Sequence, residues 1–533
     1  MFLGATAKLL GEEQRVRETV HPEADIKKGT FVLIAIVAIC IFYLLTIRAG
    51  HHWGDDFSMY IQHAKNIAEG VNYRNSNYIY CPPYVGPNFY PPILPLLLAP
   101  IIKLFGLNLT AMKVELILVF ALSLFMLVQV VKDFLPRDWQ LALVLLVGFN
   151  PYYWSVKEGI ESEIPFYLMV FLSVYLVHKA YDRLDRETSL KIKLGYILAT
   201  GVSFYLAYGT RIVGLVLIPS LVLYDLIRNR KVTFFAVGTI IVAAALMIAQ
   251  SVLLRGGQSY VEFIQGDHQG ILIMDWINML MINIPRYTSS LTRIWDNGYF
   301  KLPRLGMTVL IFGLALIGFL AQLRKRITFI ELFVVLYTTC IVIMPMDGGV
   351  RYLLPVIPFF LFHSLQGIRL LTERSKMKNL ALGSIAAAIL VTYGLAYSTY
   401  SLQEVPKSIT SPEAVEFLNY INQKTDPNEV IIFGKPRALA LYTSRKSSIY
   451  PIMGDDKGRW SYFKRIKATF IVLGPLGVEP HEDEFLAGFL NRNQGFIREE
   501  FSNSIFKVYR ITNFPEDAPQ NQIVRLFDRK LSK

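Results

Sequence analysis

The chain has 533 residues, of which 53% are hydrophobic and 18% charged, with a formal net charge of +13. About a quarter of a typical soluble domain is charged, so there is too little charge here to cover the two or more soluble domains that this length implies; disorder, collagen, coiled coil and a disulfide-rich secreted scaffold are excluded by the same figures. A polytopic membrane protein with a substantial polar part remains, and in such a protein an excess of Lys and Arg records orientation before it records a nucleic-acid partner.

Residues 1–29 are polar and mixed in charge, which is not the pattern of a cleavable signal peptide. The first apolar run, 30–48, is long enough to be a span that stays. Directly after it, Gly50 to Tyr60 carries His51, His52, Asp55 and Asp56, and Gly70 ends the helix that follows. Phe57, Tyr60, Ile61, Ala64, Ile67 and Ala68 recur at helical spacing, the pattern of an interfacial amphipathic helix.

Two readings of the Asp pair stand at this point. Asp at a helix start caps orphan N–H groups and complements the dipole. Alternatively one carboxylate is a general base, and its neighbour orients it or binds a divalent metal such as Mg or Mn. His51 and His52 are either plain interfacial residues or added ligands. Further on, Tyr90-Pro91-Pro92-Ile93 opens an apolar run, 92–106, too short and proline-rich for a span. It reads as a re-entrant or interfacial helix covering a cavity.

Ten more spans are expected at 110–131, 139–154, 163–179, 193–210, 211–227, 233–253, 305–322, 328–345, 351–371 and 380–398. They make eleven with the first, and 193–210 and 211–227 form a tight hairpin. With the N-terminus cytoplasmic, the inside loops hold Lys27 and Lys28, Lys132 and Arg137, Lys179 and Arg183, Arg228 to Lys231, Arg324 to Arg326, and Arg369 with Lys378. Every short inside loop is then basic, as the positive-inside rule demands. The +13 is thus a solvated cytoplasmic rim, and no nucleic-acid partner is implied.

Three outer regions are large: 49–109, 254–304 and the tail, 399–533. The tail reads as an α/β domain. Ser411-Pro412-Glu413 opens a helix, and 430–433 and 468–473 are short buried strands. It holds no nucleotide loop and no nucleophile elbow.

Ionisable residues near span ends are functional candidates. Lys157, Glu158, Glu161 and Glu163 lie between the third and fourth spans, Arg211 at the hairpin turn, and Asp347 and Arg351 around Gly348-Gly349. Singly, each is accounted for as a solvated or snorkelling charge. Together they put acids and arginines on the face that holds Asp55 and Asp56. Arginine clamps phosphate with parallel hydrogen bonds, so the set suits chemistry on a lipid phosphate.

These residues resemble a family. The chain is similar to the GT-C glycosyltransferases that use lipid-phosphate sugar donors, and within them to the protein O-mannosyltransferase and aminoarabinose transferase type. The resemblance rests on Asp55-Asp56 with Tyr60 and Gly70, on Tyr90-Pro91-Pro92-Ile93, on Ser162-Glu163-Ile164-Pro165, on Thr210-Arg211-Ile212-Val213-Gly214-Leu215 and on Arg351-Tyr352-Leu353-Leu354-Pro355. Lys435-Pro436-Arg437, with Tyr442 and Arg445, looks like the outer domain of bacterial members. Asp56 departs from the pattern, standing where many members have Glu.

The resemblance implies an enzyme of the bacterial cytoplasmic membrane, with its C-terminal domain outside. A 30–398 transmembrane transferase domain would move a sugar from a polyprenyl-phosphate donor to a glycan, lipid or protein hydroxyl. Asp55 or Asp56 would be the base and Glu163 would orient the acceptor or share that role. Arg211, Arg351 and Lys157 would hold the phosphate, and Tyr60, Tyr90, His52 and Glu158 would line the substrate. A transporter or flippase of lipid-linked sugars and an O-antigen polymerase or ligase are the alternatives. The first predicts internal repeats and charges at the bilayer midplane; the second relies on arginine and histidine in a large outer loop and does not explain an Asp pair right after the first span or a folded tail.

Overall fold

The computed structural model describes residues 22–81, 86, 89–185, 189–254, 273–295, 301–344, 348–373, 378–451, 455–474 and 480–515. Among them, eight helices are long and apolar enough to cross a membrane: 28–45, 109–131, 163–184, 190–210, 212–229, 234–253, 305–325 and 380–397. Their outward faces carry large exposed apolar side chains such as Phe31, Ile41, Ile241, Ile248, Val309 and Phe312, which need lipid rather than water. The molecule is a multi-pass membrane protein.

The other three expected spans are helical but shorter or broken. Residues 139–154 divide into helices Arg137–Gly148 and Pro151–Val156. The break falls where the Asn150 side chain accepts from Tyr152 N at 2.9 Å and Pro151 takes the first position of the new helix. Residues 351–371 divide into Gly349–Leu353 and Ile357–Thr372. Pro355 lies in that gap, and tyrosines satisfy two carbonyls beside it: Tyr337 Oη donates to Tyr352 O at 3.0 Å and Tyr153 Oη to Leu354 O at 2.6 Å. The ninth run is a 15-residue helix, Phe329–Ile343. The tight hairpin at Thr210–Ile212 is present: Arg211 is extended, and a 3-10 turn, Ile212–Val216, follows it.

Packing between the long helices uses small residues where backbones approach. A Cβ on Gly318 would lie 2.0 Å from His363 O, and one on Gly367 2.0 Å from Leu314 O, so helices Lys301–Lys325 and Ile357–Thr372 meet backbone to backbone. In the first outer region, helix Asp55–Glu69 packs on helix Ile93–Phe105, at the position read as a re-entrant or interfacial element. The region expected as the second large outer loop, 254–304, holds a helix that was not expected, Ile273–Arg293, which packs on Phe329–Ile343 and Gly349–Leu353.

The tail forms a six-stranded mixed sheet whose β1, Tyr78–Ile79, belongs to the first outer region. With β2 Val430–Phe433, β3 Lys446–Ser448, β4 Ala468–Leu473, β5 Ile497–Ser502 and β6 Lys507–Ile511, the order is β1-β3-β2-β4-β6-β5. β1, β3, β2 and β4 are parallel, and β6 runs antiparallel to both of its neighbours, β4 and β5. β2 is buried along its whole length, as its uninterrupted apolar run requires. Trp53 packs edge-on against Phe433 at 5.7 Å and beside Phe506 at 5.5 Å. The domain is therefore tied into the loop after the first span by a strand and by an indole.

Candidate active site

Between the segment after the first span and the ends of the membrane helices there is a cavity of about 580 Å³. Its polar lining includes Asp56, Tyr60, Tyr90, Ser162, Arg211 and Arg351, and Ile212, Val213, Met344 and Val350 give it an apolar side. The helix breaks place these groups: Arg211 stands at the extended residue of the hairpin and Arg351 on the short helix before Pro355. Non-helical backbone at membrane depth is tolerated where it lines a cavity.

Glu163 is buried at the entry to its span, and its Oε1 accepts from Arg211 Nη1 at 2.5 Å and Arg351 Nε at 2.6 Å. Arg351 also meets Glu161 at 3.0 Å and Asp56 Oδ2 at 3.6 Å. Arg211 lies over the Tyr352 ring at 4.5 Å. Burial pushes the Glu161 carboxyl up, to about 7, against the pull of Arg351.

Asp55 and Asp56 both meet the Arg437 guanidinium, through Nε and Nη1 respectively, and differ in their other partners. Asp55 Oδ1 accepts from the backbone N–H groups of Arg437 and Ala438, each at 3.1 Å. It thereby caps helix Pro436–Thr443 of the C-terminal domain, and burial raises its pKa. Asp56 Oδ1 accepts from Tyr90 Oη at 2.7 Å and from Arg437 Nη1 at 3.3 Å. Burial opposes its ionisation, but Arg437, Arg351 and the Tyr90 hydroxyl outweigh burial and hold it below the usual carboxylate range. Its side chain keeps 41% exposure, toward the cavity. Adjacent carboxyls pushed in opposite directions are a signature of divided roles.

Tyr60 Oη donates to Ser162 Oγ at 3.0 Å, and its ring stands edge-on to Tyr90 at 5.0 Å. The remaining candidates lie apart from the cavity. Lys157 donates to Thr46 O at 2.7 Å and to Glu158, and Glu158 also takes Lys113 at 2.7 Å. That cluster is buried and stitches the loop after the first span to the loop before the fourth. His52 Nδ1 accepts from Gly54 N at 2.9 Å, which closes the turn before the helix; burial, then Arg351, Lys113 and Arg48, push its pKa down to about 4. His51 is buried: Nδ1 meets His52 O at 2.6 Å and Nε2 accepts from Ile160 N at 3.1 Å, which assigns the Nδ1–H tautomer. Asp347 lies outside the described residues.

Among the described residues the donor set forms no ready divalent-metal site. Guanidinium groups already meet Asp55, Asp56, Glu161 and Glu163, and both histidines are spent on backbone groups. Among the described residues no three His, Cys, Asp or Glu side chains converge as metal ligands. A cation at Asp56 would have to displace Arg351 or Arg437.

Sequence reading left Arg437 in the outer domain with no part in the site. Its contact with Asp56 spans 381 residues, and no local pattern predicts that. The helix start at Pro436 was a usable signal, because such an end attracts a carboxylate.

The chain has the GT-C fold. ArnT from Cupriavidus metallidurans bound to undecaprenyl phosphate aligns over 92% of this chain and 99% of its own, with a TM-score of 0.55 at 13% identity. The Archaeoglobus fulgidus oligosaccharyltransferase in complex with zinc and sulfate aligns over 83% of this chain and 68% of its own, with a TM-score of 0.56 at 13% identity. AglB from the same organism, in complex with an inhibitory peptide and a dolichol-phosphate, covers 84% and 70%, with a TM-score of 0.55 at 14% identity. At these identities the likeness is one of fold. No protein-family model matches the chain, and no curated protein matches it.

Proposed function

We propose that this protein is an inverting glycosyltransferase that moves a hexose or pentose from a polyprenyl-phosphate donor to an acceptor hydroxyl on the outer face of the membrane. The observation that carries the reading is one cavity lined by a carboxylate with an exposed edge, Asp56, and by two arginines at helix breaks, Arg211 and Arg351. Its apolar side suits a prenyl chain and its arginines suit a phosphate. The GT-C neighbours support it, since one is bound to undecaprenyl phosphate and another to a dolichol-phosphate. The basic rims at the other ends of the spans support an outer location.

In this reading Asp56 is the base. Its Oδ1 is engaged by Tyr90 and Arg437, while Oδ2 keeps a 3.6 Å contact to Arg351. Oδ2 takes the proton of the acceptor hydroxyl as that oxygen bonds to the anomeric carbon. The bond from the anomeric carbon to the phosphate oxygen breaks in the same step. Its electron pair leaves with polyprenyl phosphate, which goes from one negative charge to two. Arg351 and Arg211 stabilise that growing charge. Glu163 holds both arginines in position, and Asp55 holds the C-terminal domain.

The test compares cells with and without the protein by mass spectrometry of glycolipids and glycoproteins, with Asp56→Asn as the second arm. Loss of one sugar modification in both, with the variant still inserted in the membrane, is the expected result. Modification unchanged in both would overturn the reading.

A further inference from the structure

The C-terminal domain does more than sit on the membrane part. Arg437 lies in the first turn of helix Pro436–Thr443 and is buried beneath that domain, its side chain 8% exposed. Its Nη1 stands 3.3 Å from Asp56 Oδ1 and also donates to Tyr90 Oη, while its Nε is 3.4 Å from Asp55 Oδ2. The guanidinium carbon lies 5.1 Å from the centre of the Tyr78 ring, which belongs to the strand that the first outer region lends to the sheet. Four groups from the first outer region thus converge on one side chain from the tail.

We infer that the C-terminal domain completes the reaction centre, with Arg437 as a positioning residue that fixes the Asp56 carboxylate for the acceptor hydroxyl. This rests on the glycosyltransferase reading and deepens it. The physical argument concerns rotation. A carboxylate held by a single hydrogen bond turns about its terminal bond, because that torsion is broad. Tyr90 and Arg437 together grip Oδ1 from two directions, so Oδ2 is the oxygen presented to the cavity. Tyr90 alone would leave the group able to swing.

Asp55 makes the arrangement possible. Its carboxylate takes the first two free N–H groups of the Arg437 helix, which registers that helix against helix Asp55–Glu69. The adjacent acids therefore work in sequence: Asp55 docks the domain, and the docked domain delivers the cation that orients Asp56. This also accounts for two carboxylates where capping the helix Asp55–Glu69 needs one. The side chain of neither acid caps that helix itself; Gly54 stands at its cap position.

The experiment uses the full-length protein in lipid nanodiscs. The donor probe is a mixture of undecaprenyl-phosphate hexoses and pentoses, and the acceptor is the envelope fraction of cells lacking the protein. Released undecaprenyl phosphate is counted by mass spectrometry. Arg437→Gln is shorter but keeps a polar, hydrogen-bonding side chain, so it remains informative if Arg437→Ala does not fold. For Arg437→Gln, kcat is expected to fall at least about 100-fold, the scale of a misplaced general base, with donor KM within about twofold of wild type. Arg437→Lys should recover about tenfold of that loss, since the charge returns without the planar fork. A wild-type kcat in Arg437→Gln, or a loss carried wholly by KM, would overturn the positioning role and leave the glycosyltransferase reading standing. No turnover by the wild-type protein with any donor in the mixture would overturn both.

Discussion

Glu163 Oε1 is shared by two arginines from different helix breaks, Arg211 at 2.5 Å and Arg351 at 2.6 Å. The carboxylate is buried, while Arg351 keeps 41% of its side chain exposed at the cavity. Glu163 therefore acts as a fixed anion that spaces two cations about one ligand volume. Replacing it by Gln takes the counter-charge from Arg211 and leaves Arg351 with Glu161 and Asp56 alone. Breaking a buried pair from one side costs about 3 kcal/mol or more, so Glu163→Gln should melt well below wild type in detergent. Donor KM should also rise, because the proposed phosphate site is built from the two arginines that it spaces. Wild-type melting and wild-type KM together would show that the arginines hold their positions without it.

The Asp pair separates by which quantity changes. Asp56→Asn removes the proposed proton acceptor at the cavity and keeps the shape, so transfer should fall by at least about 100-fold, with melting lowered as well because buried Arg437 loses a charged partner. Asp55→Asn weakens the acceptor for two backbone N–H groups of the Arg437 helix. Its first effect should be on docking: about 1–3 kcal/mol of stability is at stake where a buried donor loses its charged partner. Hydrogen–deuterium exchange over 436–443 is the readout. Faster exchange there in Asp55→Asn but not in Asp56→Asn is expected; the reverse pattern would exchange the two roles.

Glu161 gives the site a pH dependence of definite sign. Its carboxyl is raised in the folded protein to about 7, by burial first, while the unfolded chain titrates near the usual value for Glu, about 4.3. Between those values the folded state binds the extra proton. Stability from this group is therefore full below the unfolded pKa and falls as pH rises toward 7. Melting of the wild-type protein, followed from pH 4.5 to pH 7.5 or so, should contain a component that Glu161→Gln removes. Asp56 contributes in the opposite sense: its lowered pKa favours the fold above the usual carboxylate range and loses that advantage only in stronger acid. A Glu161→Gln profile identical to wild type would mean that Arg351 keeps Glu161 ionised throughout.

Much of the frame was legible because long apolar runs admit few readings. All eight long helices were expected, and Ser411 caps its helix from Ala414 N at 3.3 Å with Pro412 behind it. The breaks at Asn150 and Pro355 were harder to read, since a run interrupted by one polar residue or one proline looks much like a kinked span. Arg211 and Arg351 were legible as charges at span ends, and it is the breaks that turn them into one cavity. Helix Ile273–Arg293 was missed because its apolar residues are interspersed with Asn278, Asn283 and Pro285. Arg437 was legible only as part of an outer domain. Its function depends on a tertiary contact between a helix start in the tail and a carboxylate after the first span, and chain-local periodicity does not encode such contacts.

Lys157 and Arg351 were both candidates for holding phosphate, and their surroundings now predict opposite behaviour. Lys157 is buried among Glu158, the Thr46 carbonyl and the Trp154 ring, which lies 4.4 Å from its ammonium. Burial lowers its pKa to about 8 despite Glu158, and it does not border the cavity. Arg351 borders the cavity with an exposed guanidinium edge. Lys157→Ala should therefore lower melting, because Glu158 loses one of its cations, while binding of undecaprenyl phosphate measured by native mass spectrometry stays within about twofold. Arg351→Ala should weaken that binding by at least about tenfold, the scale of one charge-assisted pair at about 1.5–3 kcal/mol. The melting temperature serves as the control in both cases. Weak binding in Lys157→Ala with an intact Arg351→Ala would move the phosphate away from the cavity, to the loop between the Pro151–Val156 helix and the span that begins at Glu163.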